Sequence, residues 1–489
     1  MTHGKSWLIR TAFFVLTVAA ACAASAEPRE ITGSYWYVID HIVEVDDDAR
    51  VQLWLSLPGD RPGQEVRIRN IAPRPTEIVV DEDHGNRILY WDLKPEADDR
   101  ILLFHYDFDA TLSGVHTEVV PDRIESYDTA SDLYHRFTRP GGPLLTGGEI
   151  LATAREIVDG ETHPYRQAKR LFDWMVDSVE FVPGGTRAPD TIGTLRGRRG
   201  DCGQISQLYV ALCRSLGIPA RTVTTNWLVG GRHRFAEIMM PPYGWLPVDI
   251  SVAQLMRPGH VMFSAEEAAA FVREKGVPAG DPDWLFGNLS TSQLVLAVGN
   301  NILVRQEETL EGMRVFETFE PGGVDANPQA VEIAGLGDEF VQGGFLVLGE
   351  TLTDEQAHDM THQRLAGRFL ASGLYDVVEQ GCLQAQESDP DGAMSWINLG
   401  LVNMRKGLFN KAEACFNSAL RGHVTGQREQ FETRIWVHNY LGNCYDLMER
   451  RELALAQYRR VVEMGIDYRG ALEYAGRYLQ RPYTEADFR

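Results

Sequence analysis

Apolar and polar positions alternate with a period of two from Ile31 to about Phe108, in stretches such as "YWYVIDHIVEV", "VQLWLSLP" and "RILLFHYDFDA". Gly, Pro and Asp cluster between them. Short strands at this spacing predict an antiparallel β-sandwich over residues 27–145, with Trp36, Trp54 and Trp91 in its core. The run "RPGGPLLTGGE", ending at Glu149, breaks the alternation and marks a boundary.

Beyond it the period lengthens. "ILATAREIVDG" and "PYRQAKRLFDWMVDSVEFV" have helical spacing, and a further helix is legible in "GDCGQISQLYVALCRSLGIPAR", from Gly200 to Arg221. Asp201 suits its N-cap with Gln204 three residues on, and Gly217 followed by Pro219 ends it. Ile205, Leu208, Tyr209, Leu212, Cys213 and Leu216 form one apolar stripe. "ARTVTTNWLV", "RHRFAEIMM" and "GWLPVDIS" read as strands, with "PPYG" as the turn between the last two. More strands are expected between Asp281 and Phe319, so a second unit, α+β in class, is predicted over residues 146–335, with "EPGGVDANPQ" as a linker.

From residue 345 to 489 the pattern is helical and repeats itself. Leu365-Ala366, Cys382 and Ala385 are followed 34 residues later by Leu399-Gly400, Phe416 and Ala419. A third copy carries Leu441-Gly442, Tyr445, Ala454 and Tyr458 after an insertion, and Ala475-Gly476 restores the step. This region resembles a tetratricopeptide (TPR) array, which implies an all-α solenoid whose groove could take a protein partner. Cys382, Cys415 and Cys444 fall on its helices and read as small core residues.

Lys5 and Arg10, the apolar run "TAFFVLTVAAACAA" and Ala24-Ser25-Ala26 make residues 1–26 an expected cleaved signal peptide. The chain is then exported, to a periplasm or medium. Lipidation at Cys22 is disfavoured, because "VAAAC" lacks the usual leucine three places earlier. No later apolar run reaches the roughly 18 residues of a membrane span. A formal net charge of −22 repels polyphosphates, which excludes nucleic acid as a partner.

Five cysteines follow Cys22, so an exported chain keeps at least one thiol unpaired. Cys202 and Cys213, on one helix, would stand about 16 Å apart, beyond the disulfide limit of about 7 Å. Cys213 lies in the apolar stripe. Cys202 lies in the first turn, where unpaired N–H groups and the helix dipole favour a thiolate, as a nucleophile requires. A nucleophile needs a base, and the base an orienting group. His233 and Asp249 share an index sum of 482, centred on Pro241 at the start of the "PPYG" turn, so hairpin parity allows them onto one side of the sheet.

With these residues in view, the segment from about Tyr165 to Ser251 resembles the core of the transglutaminase-like superfamily, in "GDC" with "ALCRSLGIPAR", "RHRFAE" and "GWLPVDIS". The resemblance implies a papain-like α+β fold in which Cys202 is the nucleophile, His233 the base and Asp249 its orienter. Phe235 stands where many relatives carry tryptophan. The Cys202 backbone N–H is one expected oxyanion donor; Gln167 and Trp174 are accounted for by helix membership, and a second donor is not assigned.

Two rival motifs read as structure. "HDMTH" places His358 and His362 one helical turn apart, but Asp359 stands where zinc hydrolases have Glu and no third ligand is legible, so a solvated helix face is expected. The acidic run "VDDDA" at 45–49 reads as a polar turn. No metal or other cofactor is therefore expected, and calcium dependence is left open by the sequence. The overall expectation is an exported thiol enzyme that acts on amide or peptide bonds of a protein or peptide through a Cys thioester, by hydrolysis or acyl transfer. The alternative is a non-enzymatic envelope scaffold that binds partners through the helical repeats.

Overall fold

The structure is a computed structural model. It describes residues 27–487 apart from 183, 187, 229–230, 257–272, 274, 279–280, 300–301, 306–313, 317–323, 326–328, 338, 425–431 and 466–467. The expected signal peptide with Cys22, and most of the expected linker, lie outside the described residues. Antiparallel sheets are combined with many helices, and among the described strands the only parallel pairing joins the two-residue strands β7 (Glu180–Phe181) and β8 (Arg199–Gly200).

The first six strands are β1 (Arg29–Asp40), β2 (Arg50–Leu57), β3 (Gln64–Ala72), β4 (Glu77–Val80), β5 (Arg87–Leu93) and β6 (Ile101–Leu112). They divide between two sheets that share one apolar core. Tyr35, Tyr37 and Ile39 of β1 meet Leu53 and Leu55 of β2 and Trp91 of β5 there. The alternate β1 residues Trp36 and Val38 face the other way, into a seam with Phe345, Val347 and Ala357. Burial on both faces explains why "YWYVI" is apolar without interruption. Trp36, Trp54 and Trp91 are all buried.

Strand pairing cuts across the domain limits expected at 145 and 335. After the short strands β13 (Leu303–Arg305), β14 (Arg314–Phe316) and β15 (Val324–Asp325), β16 (Gln329–Ala334), expected in the second unit, pairs with β2, and β17 (Val341–Leu348) pairs with β1. Open edges of the two N-terminal sheets are thereby covered by chain that returns after the middle of the sequence, a long-range pairing that local periodicity does not report.

The middle of the chain builds a third sheet from β9 (Ala220–Trp227), β10 (Gly231–Met240), β11 (Gly244–Val248) and β12 (Gln293–Val298), in the order β11-β10-β9-β12. Helices α1 (Asp132–Thr138), α2 (Gly148–Val158), α3 (Pro164–Ser178), α4 (Thr191–Gly197), α5 (Cys202–Ser215) and α6 (Ile250–Leu255) accompany it. The α5 stripe of Ile205, Leu208, Tyr209, Leu212 and Cys213 is fully buried with Ala236, Ile238 and Met240 of β10 in the same core. Glu237, also on β10 and 2% exposed, is ion-paired to Arg221 of β9 at 2.8 Å and to Arg61 from the loop before β3. The Arg61–Glu237 pair ties the N-terminal sheets to the third sheet.

The tail comprises α7 (Asp354–Arg364), α8 (Ala366–Ala371), α9 (Tyr375–Ser388), α10 (Ala393–Arg405), α11 (Phe409–Ala419), α12 (Val437–Leu447), α13 (Arg451–Met464) and α14 (Ala471–Gln480). Its repeat has a steric basis. A Cβ on Gly400 would lie 2.3 Å from the Phe416 ring, and one on Gly442 2.4 Å from the Tyr458 ring. Sixteen residues separate small from large in both copies, and Ala366 and Cys382 occupy one core at the same offset. Phe416 and Tyr458 share a continuous core with α3 and α5, so the tail is packed onto the middle unit.

Candidate active site

Cys202 is the first residue of α5. Asp201 caps the helix: its carboxylate accepts the Gln204 N–H at 2.9 Å, and the Gln204 side-chain oxygen accepts the Asp201 N–H at 3.2 Å. The thiol is partly exposed, while Cys213, Cys382, Cys415 and Cys444 are buried; all five are free. Burial pushes the Cys213 thiol up to about 12, so it stays protonated and inert.

His233 lies on β10 and Asp249 at the N-cap of α6, immediately after β11. His233 Nε2 is 2.7 Å from Asp249 Oδ2. Asp249 Oδ1 accepts the Val252 N–H at 3.2 Å and the Ser251 hydroxyl at 3.1 Å. The hairpin register differs from the one expected: Glu237 pairs with Pro247 and Met240 with Gly244, an index sum of 484 rather than 482. The turn is thus symmetric about Pro242, not Pro241. A shift of two keeps side-chain parity, so His233 and Asp249 still share a side, and Asp249 reaches the ring from beyond the ladder's end.

Cys202 lies close enough to the imidazole to act on its charge. With Nε2 committed to Asp249, Nδ1 is the nitrogen left for the thiol. Burial alone would pull the His233 pKa down. The charge and hydrogen bond of Asp249 outweigh it, with further support from Cys202, and push the group up to about 10. The ring therefore holds its proton at neutral pH.

Three supporting residues escaped sequence reasoning in this role. Gln204, legible as a capping residue, also accepts the Thr186 N–H at 2.9 Å and donates to the carbonyls of Thr186 and Ala188, both at 3.2 Å. One side chain thus holds the preceding loop against the thiol's helix. The Ser206 hydroxyl lies 2.6 Å from the Cys202 carbonyl and 3.2 Å from that of Arg234, linking the nucleophile's turn to the histidine's strand. Trp227 covers the His233 ring at 5.1 Å between centroids. No local pattern signals the last two, because each acts across elements. Gln167 donates to the Glu161 carbonyl at 2.6 Å, and Trp174 packs beneath the Arg198 guanidinium; both have structural partners. Phe235 is wholly buried with Val223 and Val295.

This arrangement coincides with a family match: residues 151–250 fit the model of the transglutaminase-like superfamily. Residues 151–250 are a transglutaminase-like domain. An uncharacterized protein of Haemophilus influenzae is 23% identical over 290 residues, which cover 50% of this chain and 77% of that protein. Among solved structures, a candidate cysteine protease from Cytophaga hutchinsonii aligns with a TM-score of 0.42 at 12% identity, covering 67% of this chain and 93% of its own. A candidate protease from Parabacteroides distasonis aligns with a TM-score of 0.18 at 12% identity, over 46% of this chain and 47% of its own.

The rival motifs lie outside this site. Asp46–Asp48 of the acidic run form an exposed turn. His358 and His362 sit on α7, where the structure adds a neighbour that the sequence did not supply, Asp40 at the end of β1. Among the described residues, this is the one group of three or more His, Cys, Asp or Glu side chains close enough to share a metal ion.

Proposed function

We propose that the chain is an exported thiol enzyme in which Cys202 attacks the carbonyl carbon of an amide or peptide bond in a protein or peptide. One observation carries this reading: buried His233 is hydrogen-bonded to Asp249 at 2.7 Å, and Cys202 acts on the charge of the same ring. The thiolate adds to the carbonyl, and negative charge develops on its oxygen beside the N-terminus of α5. As the tetrahedral species collapses, the C–N bond breaks and the amine leaves with the His233 proton, producing a thioester. Neutral His233 then takes a proton from water or an incoming amine as that nucleophile attacks, the C–S bond breaks and the proton resets the pair. Water is the favoured acceptor, because it is always present and no amine-binding feature is legible.

In this reading the two N-terminal sheets form a β-sandwich, and the tail is a TPR-like array that presents a protein substrate to the thiol. The shared small-to-large spacing of Gly400 with Phe416 and Gly442 with Tyr458 supports the repeat assignment. The test compares the proteome of the producing cell's envelope with wild-type enzyme and with Cys202→Ala. New chain ends that depend on Cys202 support hydrolysis, and new isopeptides support acyl transfer. Identical proteomes would leave the scaffold reading in their place.

A further inference from the structure

Helix α7, "DEQAHDMTHQR", is polar around nearly its whole circumference, with Met360 and Ala357 as its contributions to the seam with β1. A helix of that composition has little apolar area to hold it in place. What β1 offers it changes at the strand's end. The residues on that side are Trp36, Val38 and then Asp40, whose carboxylate is buried. Asp40 Oδ1 accepts the His41 N–H at 2.6 Å. Oδ2 has no hydrogen bond of good geometry, which is costly for a buried carboxylate. Yet two nitrogens converge on it: His358 Nε2 and His362 Nε2, both at 3.3 Å.

We propose that Asp40, His358 and His362 form a zinc site that fastens α7, and with it the start of the helical tail, to strand β1. Zinc bonds of about 2.0–2.1 Å in tetrahedral geometry place neighbouring donor atoms about 3.3–3.4 Å apart. Both carboxylate-to-imidazole distances have that length, and all three donor atoms lie within 4.8 Å of one another. Two neutral imidazoles and a carboxylate are a donor set that zinc accepts, and the ion would satisfy the orphaned oxygen. His362 is held for this role. Phe369 packs edge-on to its ring at 5.4 Å, and α9 approaches so closely that a Cβ on Gly381 would lie 2.7 Å from the His362 Cβ. The His358 side chain is 41% exposed, which leaves the fourth position to water. Asp359, between the histidines, is engaged by Gln384 at 2.8 Å and is not a general base for that water. The site is therefore a structural clasp and not a second hydrolytic centre.

The experiment uses the full chain carrying Cys202→Ala, so that the thiol and His233 cannot hold the metal. After chelation, zinc is titrated calorimetrically and counted by mass spectrometry, and hydrogen exchange is followed over residues 354–364. One zinc per chain is expected, with slower exchange in α7 and a Tm about 5 °C higher at saturation. His362→Gln should weaken binding at least about tenfold, the lower end of what loss of even an outer partner of a metal site costs. Because His362 is packed on both sides, the exposed His358→Gln is the second variant and should show the same loss with an unchanged circular dichroism spectrum. No binding by the parent chain, or undiminished binding by His358→Gln, would overturn the site. Binding that leaves the exchange of α7 unchanged would overturn the clasp.

Discussion

Asp249 holds His233 with one carboxylate oxygen, at 2.7 Å from Nε2, and caps helix α6 with the other. The orienting group of the candidate triad is thus itself anchored by a helix start. Its geometry does not depend on the imidazole, so the carboxylate can be changed chemically without losing its place.

Asp249→Asn should keep the cap but present an amide N–H to the ring, favouring the wrong tautomer. Turnover of an amide substrate should fall by about 10³–10⁴-fold, whereas Cys202→Ala should abolish it. The alkaline limb of the kcat/KM profile, set in wild type by His233 losing its proton near 10, should move to lower pH by at least about one unit. An unchanged limb would remove Asp249 from the mechanism. Because the folded protein binds this proton more tightly than the unfolded chain, the pair's contribution to stability is complete below about pH 6.5 and fades as pH rises toward 10. Denaturant unfolding should show that decline in wild type and a flatter curve in Asp249→Asn.

Iodoacetamide at about pH 6.5 should label Cys202 well before the other thiols. Cys202 is partly exposed beside a protonated imidazole, whereas Cys213 is wholly buried with its thiol pushed up to about 12. Peptide mapping of the native protein is the check, and equal labelling of the two would count against the assignment.

Glu237→Gln leaves the buried guanidiniums of Arg61 and Arg221 without their countercharge and should cost about 3–5 kcal/mol in denaturant unfolding. Burial would raise the Glu237 pKa, but the two arginines overcome it and hold the carboxyl below its ordinary value. That contribution is present above about pH 4.3 and is lost as pH falls below it. The acid limb of the stability curve should therefore be shallower in the variant.

Gly400→Ala and Gly476→Ala make a matched pair within the tail. The first drives a methyl into the Phe416 ring and should destabilise by about 1–3 kcal/mol. The second meets nothing within 4 Å on α14 and should stabilise by up to about 1 kcal/mol through helix propensity. Opposite shifts in Tm are expected, and equal shifts would contradict the repeat's packing.

Features that depend on near neighbours in the chain were legible beforehand. The capping box of Asp201 and Gln204, the buried stripe that contains Cys213 and the alternation that buries Trp91 each follow from a period of two or 3.6 residues, or from hydrogen bonds closed within a turn. The meeting of His233 with Asp249 was legible only as parity: an antiparallel hairpin decides which residues share a side, while the observed index sum came from a turn centred one residue later. Tertiary structure alone decided what crosses between distant segments. β17 pairs with β1 across the whole middle unit, Ser206 bridges the thiol's turn to the histidine's strand, and Asp40 meets His358 and His362 from more than 300 residues away. A strand or helix carries its own period in its sequence, but the identity of the surface it packs against is a property of the folded chain, because that contact is made only when both elements have formed and their apolar faces have been buried together.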